Sequence, residues 1–247
     1  MPNHVINQLS FKATKDVATK ILTAIAQRTE SGEIKLGTID FNRIIPMPQE
    51  LDIEASSTTF QAAEVYLTLL NPEADWLGKK EEKMLKEDFD RLLATINRDH
   101  IFTKHTGTIQ PDMLTERNLG KPVEEMIDRG KIAVENVQKF GHSTWYEWRT
   151  DPDNWNTKWN AYDCETDRAD EGILRFQTAW SAPHPVIRKL SEMYPEVHFI
   201  HEWADEDIGY NCGKAEYQKG FMIGSFWPEQ LEAAVAFAEG VWYGGEE

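Results

Sequence analysis

Cysteine is nearly absent: the 247 residues hold two, Cys164 and Cys212, in no CxxC or CxxH spacing. A disulfide framework and a zinc knuckle are thereby excluded, and two free thiols suit a reducing cytoplasm. No apolar run approaches the roughly 18 residues that cross a bilayer. The opening MPNHVINQLSF also lacks the basic and apolar regions of a signal peptide, so no membrane partner is expected. Missing as well are G-x-S-x-G, G-x-G-x-x-G and G-x-x-x-x-G-K-[ST]. Their absence leaves familiar hydrolases, dinucleotide binders and P-loop enzymes without a foothold, and points to no catalytic residue and no cofactor. Basic charge is short too: 26 Lys and Arg face 42 Asp and Glu, a net charge of −16. An acidic field repels phosphate backbones, so ordinary nucleic-acid binding is disfavoured.

What the chain has in excess is tryptophan. The stretch Trp145 to Pro185 holds five of the nine, and Trp203 follows soon after. Each buried indole carries roughly 200 Å², so this segment is either the heart of the fold or an aromatic recognition surface. If it is core, Trp180→Ala costs about 3–5 kcal/mol. The acidic excess is uneven as well. Residues 151–210 carry five basic and thirteen acidic groups, half of the total deficit.

Periodicity predicts an α+β fold. VINQLSF reads as a strand, and Val17, Ile21, Leu22 and Ile25 recur at helical spacing after Thr14. TIDFNRIIP reads as a strand ended by its prolines. Residues 50–140 read as a mostly helical insertion, with loops expected at 71–80 and 99–121 and an apolar stripe of Met84, Leu85, Phe89, Leu92, Leu93 and Ile96. Past Gly141 the period becomes two. STWYEWR, TKWNAYD, ILRFQTAW, VHFIHEWAD and YNCGKAEYQKG are strand candidates, with a helix over 184–194 between the third and fourth. PEQLEAAVAFAEGVWYGG reads as a closing helix with Pro228 in its first turn. The expectation is one α+β domain over 1–247, whose 141–220 portion is the C-terminal half of a ferredoxin-like antiparallel sheet, with its two helices on one face.

The opening MPN and the boxes FNRIIPMPQEL, DNWNTKWNAYD and FQTAWSAPHPVIRKLS follow in that order, before the hairpin DEDIGYNCGKAEYQKG. Together they resemble the YubB-like family of plasmid and phage proteins, with residues 55–135 least matched. The resemblance implies a ferredoxin-like C-terminal domain and a mobile-element accessory protein in the cytoplasm of a bacterial host. It implies no catalytic residue. His4 stands where the family pattern has a Trp after MPN.

Two readings of function follow. In NWNTKWNAYD, extended geometry puts Trp155, Thr157, Trp159 and Ala161 on one face and Asn156, Lys158, Asn160 and Tyr162 on the other. These rings either pack beneath helices or stand on the free face of the sheet, as in base-stacking modules. Neither acidic loop, Asp163–Glu171 or Asp205–Asp207, matches a twelve-residue calcium loop. His198 and His201 lie three apart in a strand and point to opposite faces, so no metal ligand set emerges. The residues expected to bind a partner or ligand are Trp155, Lys158, Trp159, Asn160, Asp163, Asp205, Glu206 and Asp207. The leading reading is a non-enzymatic interaction protein that binds a host or competing-element protein, in counter-defence for example, through an acidic and aromatic surface. The alternative is an enzyme, or a small-ligand or nucleotide-binding protein, with its site between Trp155–Asp163 and Asp205–Asp207.

Overall fold

The computed structural model describes residues 2–74, 82–98 and 115–244, the side chains of 97 and 98 excepted. It divides into two compact units, one of Met1–Met47 with Arg149–Glu247 and one of Pro48–Trp148. The first unit is built on β1 (His4–Phe11), β4 (Tyr162–Glu165), β5 (Ile173–Ala179), β6 (Phe199–Asp205), β7 (Cys212–Gln218) and β8 (Phe221–Phe226). A small separate hairpin pairs β2 (Gln27–Arg28) with β3 (Ile34–Lys35). Helices α1 (Lys15–Ile25), α7 (His184–Met193) and α8 (Leu231–Tyr243) complete this unit.

The large sheet runs β4-β5-β1-β6-β7-β8, with every neighbouring pair antiparallel. Within it, β1-α1-β4-β5-α7-β6 is the βαββαβ order of a ferredoxin-like sandwich, with β1 between β5 and β6. The hairpin β7-β8 extends that sheet. Its two-residue turn, Lys219 and Gly220, has φ of 54° and 79°, the left-handed pair that matches strand twist.

Register sorts the residues onto two faces. Asn7 lies between Phe176 and Trp203, and Leu9 between Leu174 and His201. Asn7, Thr178 and His201 are fully buried polar side chains on this face, and Asp205, opposite Val5, is buried at its end. Helix α7 covers it through His184, whose ring meets Trp203 at 4.5 Å and His201 at 5.5 Å. Right-handed crossovers place α1 on the same side. The turn Phe41–Arg43 joins it there, since Asp40 N donates to Ile25 O at 2.7 Å and Phe41 packs edge-on against Phe176. The other face carries Ile6, Ala204 and Cys212, and α8 packs on them with Ala234, Ala238 and Val241. Arg175 fastens the end of α8: its guanidinium donates to Val241 O at 2.9 Å and Trp242 O at 3.2 Å and pairs with Glu165. A cation there meets the negative end of the helix dipole.

The second unit is helical among the described residues: α2 (Ser57–Leu70), α3 (Lys86–Arg98), α4 (Glu116–Leu119), α5 (Val123–Phe140) and most of α6 (Trp145–Thr150). Helices α2 and α5 touch closely, because a Cβ at Gly130 would fall 1.9 Å from Ala62 O. Phe89, Leu92 and Ile96 close the core over Ala63, Leu67, Ala133, Val134 and Val137.

Several expectations are corrected. STWYEWR is the helix α6, because Glu147 reaches back to the Ser143 and Thr144 amides at 2.7 and 3.3 Å. TIDFNRIIP is a 3-10 turn, held by the Asp40 carboxylate on Asn42 N. Of the second candidate strand only Tyr162 and Asp163 fall in β4, because Asn156 and Asp163 take positive φ. Leu85 is exposed ahead of α3. Helix α8 begins at Leu231, after Pro228, and lies on the face opposite α7. Most of the loops expected at 71–80 and 99–121 lie outside the described residues.

The buried polar set has one consistent protonation. Asn7 Nδ2 donates to Val5 O and Thr178 Oγ1, both at 2.9 Å, so its Oδ1 accepts from His201 Nε2 at 3.0 Å. His201 Nδ1 is then bare, and it has no hydrogen-bond partner. Protonating it would bury an unmatched cation, so burial, with His184 alongside, holds His201 well below its usual range. Burial lowers His184 from 6.5 to about 4. Both imidazoles prefer the proton when unfolded. Their contribution is whole above pH 6.5 and fades as pH falls toward 4, by about 3 kcal/mol for His184. Urea titrations across that window should show a shallower loss for His184→Asn than for the natural chain. Identical slopes would contradict this assignment.

Candidate functional site

One end of the sheet gathers most of the residues singled out in the sequence. Residues 3 and 4 precede and begin β1, and their carbonyls hold both halves. Asn3 O accepts Trp180 N at 2.9 Å, just past β5, and His4 O accepts Glu206 N at 2.8 Å, just past β6. Side chains repeat the connection. Tyr162 OH donates to Thr178 O at 3.1 Å, so at 2.7 Å it accepts the Nδ1 proton of His4. Burial first, then the charges of Asp163 and Glu206, push the Tyr162 phenol up to about 12, which keeps it a neutral donor. Trp159 stands edge-on to Tyr162 at 5.9 Å.

Lys158 lies between two indoles, its Nζ 5.3 Å from the Trp159 ring centre and 5.0 Å from that of Trp180. An ammonium over tryptophan faces is attracted by their quadrupoles. Trp180 is 40% exposed, so of the two readings left open by the sequence it belongs to the surface and not to the core. Its φ of 72° is left-handed, a costly region for a bulky side chain. Three groups hold it there: Asn3 O on its amide, Asn211 Nδ2 on its carbonyl at 3.0 Å, and the Lys158 ammonium on its ring. Asn211, itself at φ 39°, also reaches Asp205 Oδ2 at 3.2 Å.

The structure divides the named residues by role. Trp155 is fully buried, with its indole N–H on Ile45 O at 2.9 Å and its ring edge-on to Phe41. Asn160 is a brace, accepting from Phe41 N at 2.8 Å and donating to Asp40 at 2.7 Å. Asp205 is buried, and its carboxylate accepts from Asn3, Asn211 and the Asp207 amide. Lys158 and Trp159 are half-buried, and Asp163, Glu206 and Asp207 are exposed. In the other acidic loop, Glu165 pairs with Arg175 and Glu171 with Arg168. Among the described residues, no group of three or more His, Cys, Asp or Glu converges on one point.

Reading the sequence overlooked Asn3, His4, Tyr210 and Asn211. The signal was present in Asn211, which follows Gly209 in a turn between strands, where asparagine tolerates left-handed backbone. The outer sheet face is polar at its centre. Gln8 and Glu202 meet across it at 3.2 Å, beside Arg175. What the end of the sheet offers is a cation-filled indole slot with an exposed aromatic rim, Trp180 and Tyr210, flanked by Asp163, Glu206 and Asp207.

The strain at Trp180 has a measurable sign. Glycine is normally worse than alanine by about 0.5–1 kcal/mol in a strand, and the order reverses where φ is positive. Trp180→Gly should therefore denature at higher urea than Trp180→Ala. An Ala variant more stable than the Gly variant would contradict a strained residue 180.

Residues 155–242 match the family described as ferredoxin-like domain in Api92-like protein. No curated protein matches the chain. A crystal structure of protein api92 from Yersinia pseudotuberculosis is similar at 10% sequence identity, covering 93% of this chain and 99% of that one, with a TM-score of 0.38. Over residues 155–242 the chain is thus similar to the ferredoxin-like domain of Api92-like proteins.

Proposed function

We propose that the chain is an accessory protein of a plasmid or phage, of the YubB-like kind, that works in the cytoplasm of a bacterial host by binding another protein. A basic segment of a host or competing-element protein docks on the acidic, aromatic end of the sheet, and counter-defence is the role such docking would serve. The observation that carries this reading is the exposed rim of Trp180 and Tyr210 beside Asp163, Glu206 and Asp207. Aromatic anchors flanked by charge are what protein interfaces use for affinity and for steering. The Lys158 ammonium between the indoles shows that the slot suits a cation, and an incoming Arg or Lys could share the outer face of Trp180.

The alternative, an enzyme or small-ligand site between Trp155–Asp163 and Asp205–Asp207, draws on the same convergence. Against it weigh the burial of Trp155 and the three donors on Asp205. Both leave those side chains occupied in the fold.

The test is capture from bacterial lysate on the immobilised chain, with bound proteins identified by mass spectrometry. Exposed charges are screened over about 8–10 Å at physiological salt, and Glu206 and Asp207 contribute little to stability. A true partner should be captured at low salt and lost at about 0.5 M. Glu206→Gln with Asp207→Asn should slow its association about tenfold, and Trp180→Ala should speed its dissociation. A partner indifferent to salt and to both variants would remove this surface from the mechanism.

A further inference from the structure

The sheet ends at β8, which pairs with β7 and with no other described strand. Its outer backbone N–H and C=O groups are therefore open to another strand. Proteins usually blunt such an edge with charge or proline. Residues Phe221–Phe226 carry neither, and the uncharged run continues through Trp227 and Pro228. The one irregularity is a bulge, with Ile223 as the extra residue against β7. Phe221, Met222, Ile223, Phe226 and Trp227 are between 46% and 71% exposed.

We propose that two copies of the chain associate by antiparallel pairing of β8 with β8, which makes one continuous sheet across the pair. Three observations select a second copy. The first is charge. Each copy carries −16, so two copies approach most readily where charge is missing, and residues 221–228 are such a stretch. The second is complementarity at its ends. Lys219 precedes the run and Glu229 follows it. Antiparallel pairing sets the start of one strand beside the end of the other, so Lys219 of each copy faces the other's Glu229. Parallel pairing would set like charges together. The third is size. At about 200 Å² per large side chain, the exposed part of these five residues is on the order of 550 Å², before the strand backbone is counted. Stable pairs bury roughly 800 Å² per partner. This contact lies along the edge of the sheet and does not depend on the docking reading.

Sedimentation velocity on the full chain tests it. The natural protein should sediment at twice 28.5 kDa at about 50 µM and dissociate on dilution. Ile223→Lys and, separately, Phe221→Glu change exposed edge residues and should each raise the dissociation constant at least about 100-fold, with far-UV circular dichroism unchanged. Lys219→Glu should weaken the pair about tenfold, and adding Glu229→Lys should restore it to within about threefold. A monomer at 50 µM overturns the proposal and leaves the edge for a strand of another protein. So does a dimer that survives both edge variants, or a charge swap that restores nothing.

Discussion

Everything in the first unit depends on a buried hydrogen-bonded bridge across three strands, Thr178–Asn7–His201. Asn7 sits in β1, which is hydrogen-bonded on both sides to strands more than 160 residues away in the chain. An unpaired amide at that depth would cost about 1–3 kcal/mol, and here the Asn7 amide group meets three partners. The bridge also fixes register. A one-residue slip of β1 would turn Asn7 to the other face and strand Val5 and Leu9 outside the core. Because register is fixed, the carbonyls of Asn3 and His4 arrive where Trp180 and Glu206 need them. The candidate surface is thus an extension of the sheet and not a separate loop structure.

Much of this was legible in the sequence. Alternation located β1, β5, β6 and β7, and helical spacing located α1 and α7, because each buries one face and must show it in its pattern. The ferredoxin-like order followed once TKWNAYD was counted as a further strand, and its last two residues do open β4. Aromatic stretches were the ones misread. STWYEWR has strand-forming residues, yet Thr144-x-x-Glu147 spells a capping box, and the carboxylate on two amides decided for helix. NWNTKWNAYD alternates well, but its side chains bond to distant backbone: Thr157 to Ala179, Asn160 to Phe41, Trp155 to Ile45. Those partners cannot be seen from within the segment. Strand β8 was missed because Gly224 interrupts it and because its residues are almost all exposed, which removes the alternation that reveals a strand.

The site was half legible for a related reason. Composition pointed to the right segments, since tryptophan and carboxylates are concentrated there. It did not show which of them face outward. Trp155 and Asp205 turn inward because indole N–H and carboxylate groups satisfy backbone and amide partners. Trp180 turns outward because its backbone is left-handed, a property no pattern of residue types displays.

The central claim is that residues 3 and 4 hold both halves of the surface as part of the sheet. Amide hydrogen exchange at Trp180 and Glu206, resolved by NMR, addresses it most directly. If the claim holds, both amides exchange within about tenfold of the β1 amides and respond with them to added denaturant, as members of one cooperative unit do. Exchange at loop rates at either position, with β1 still protected, would contradict it.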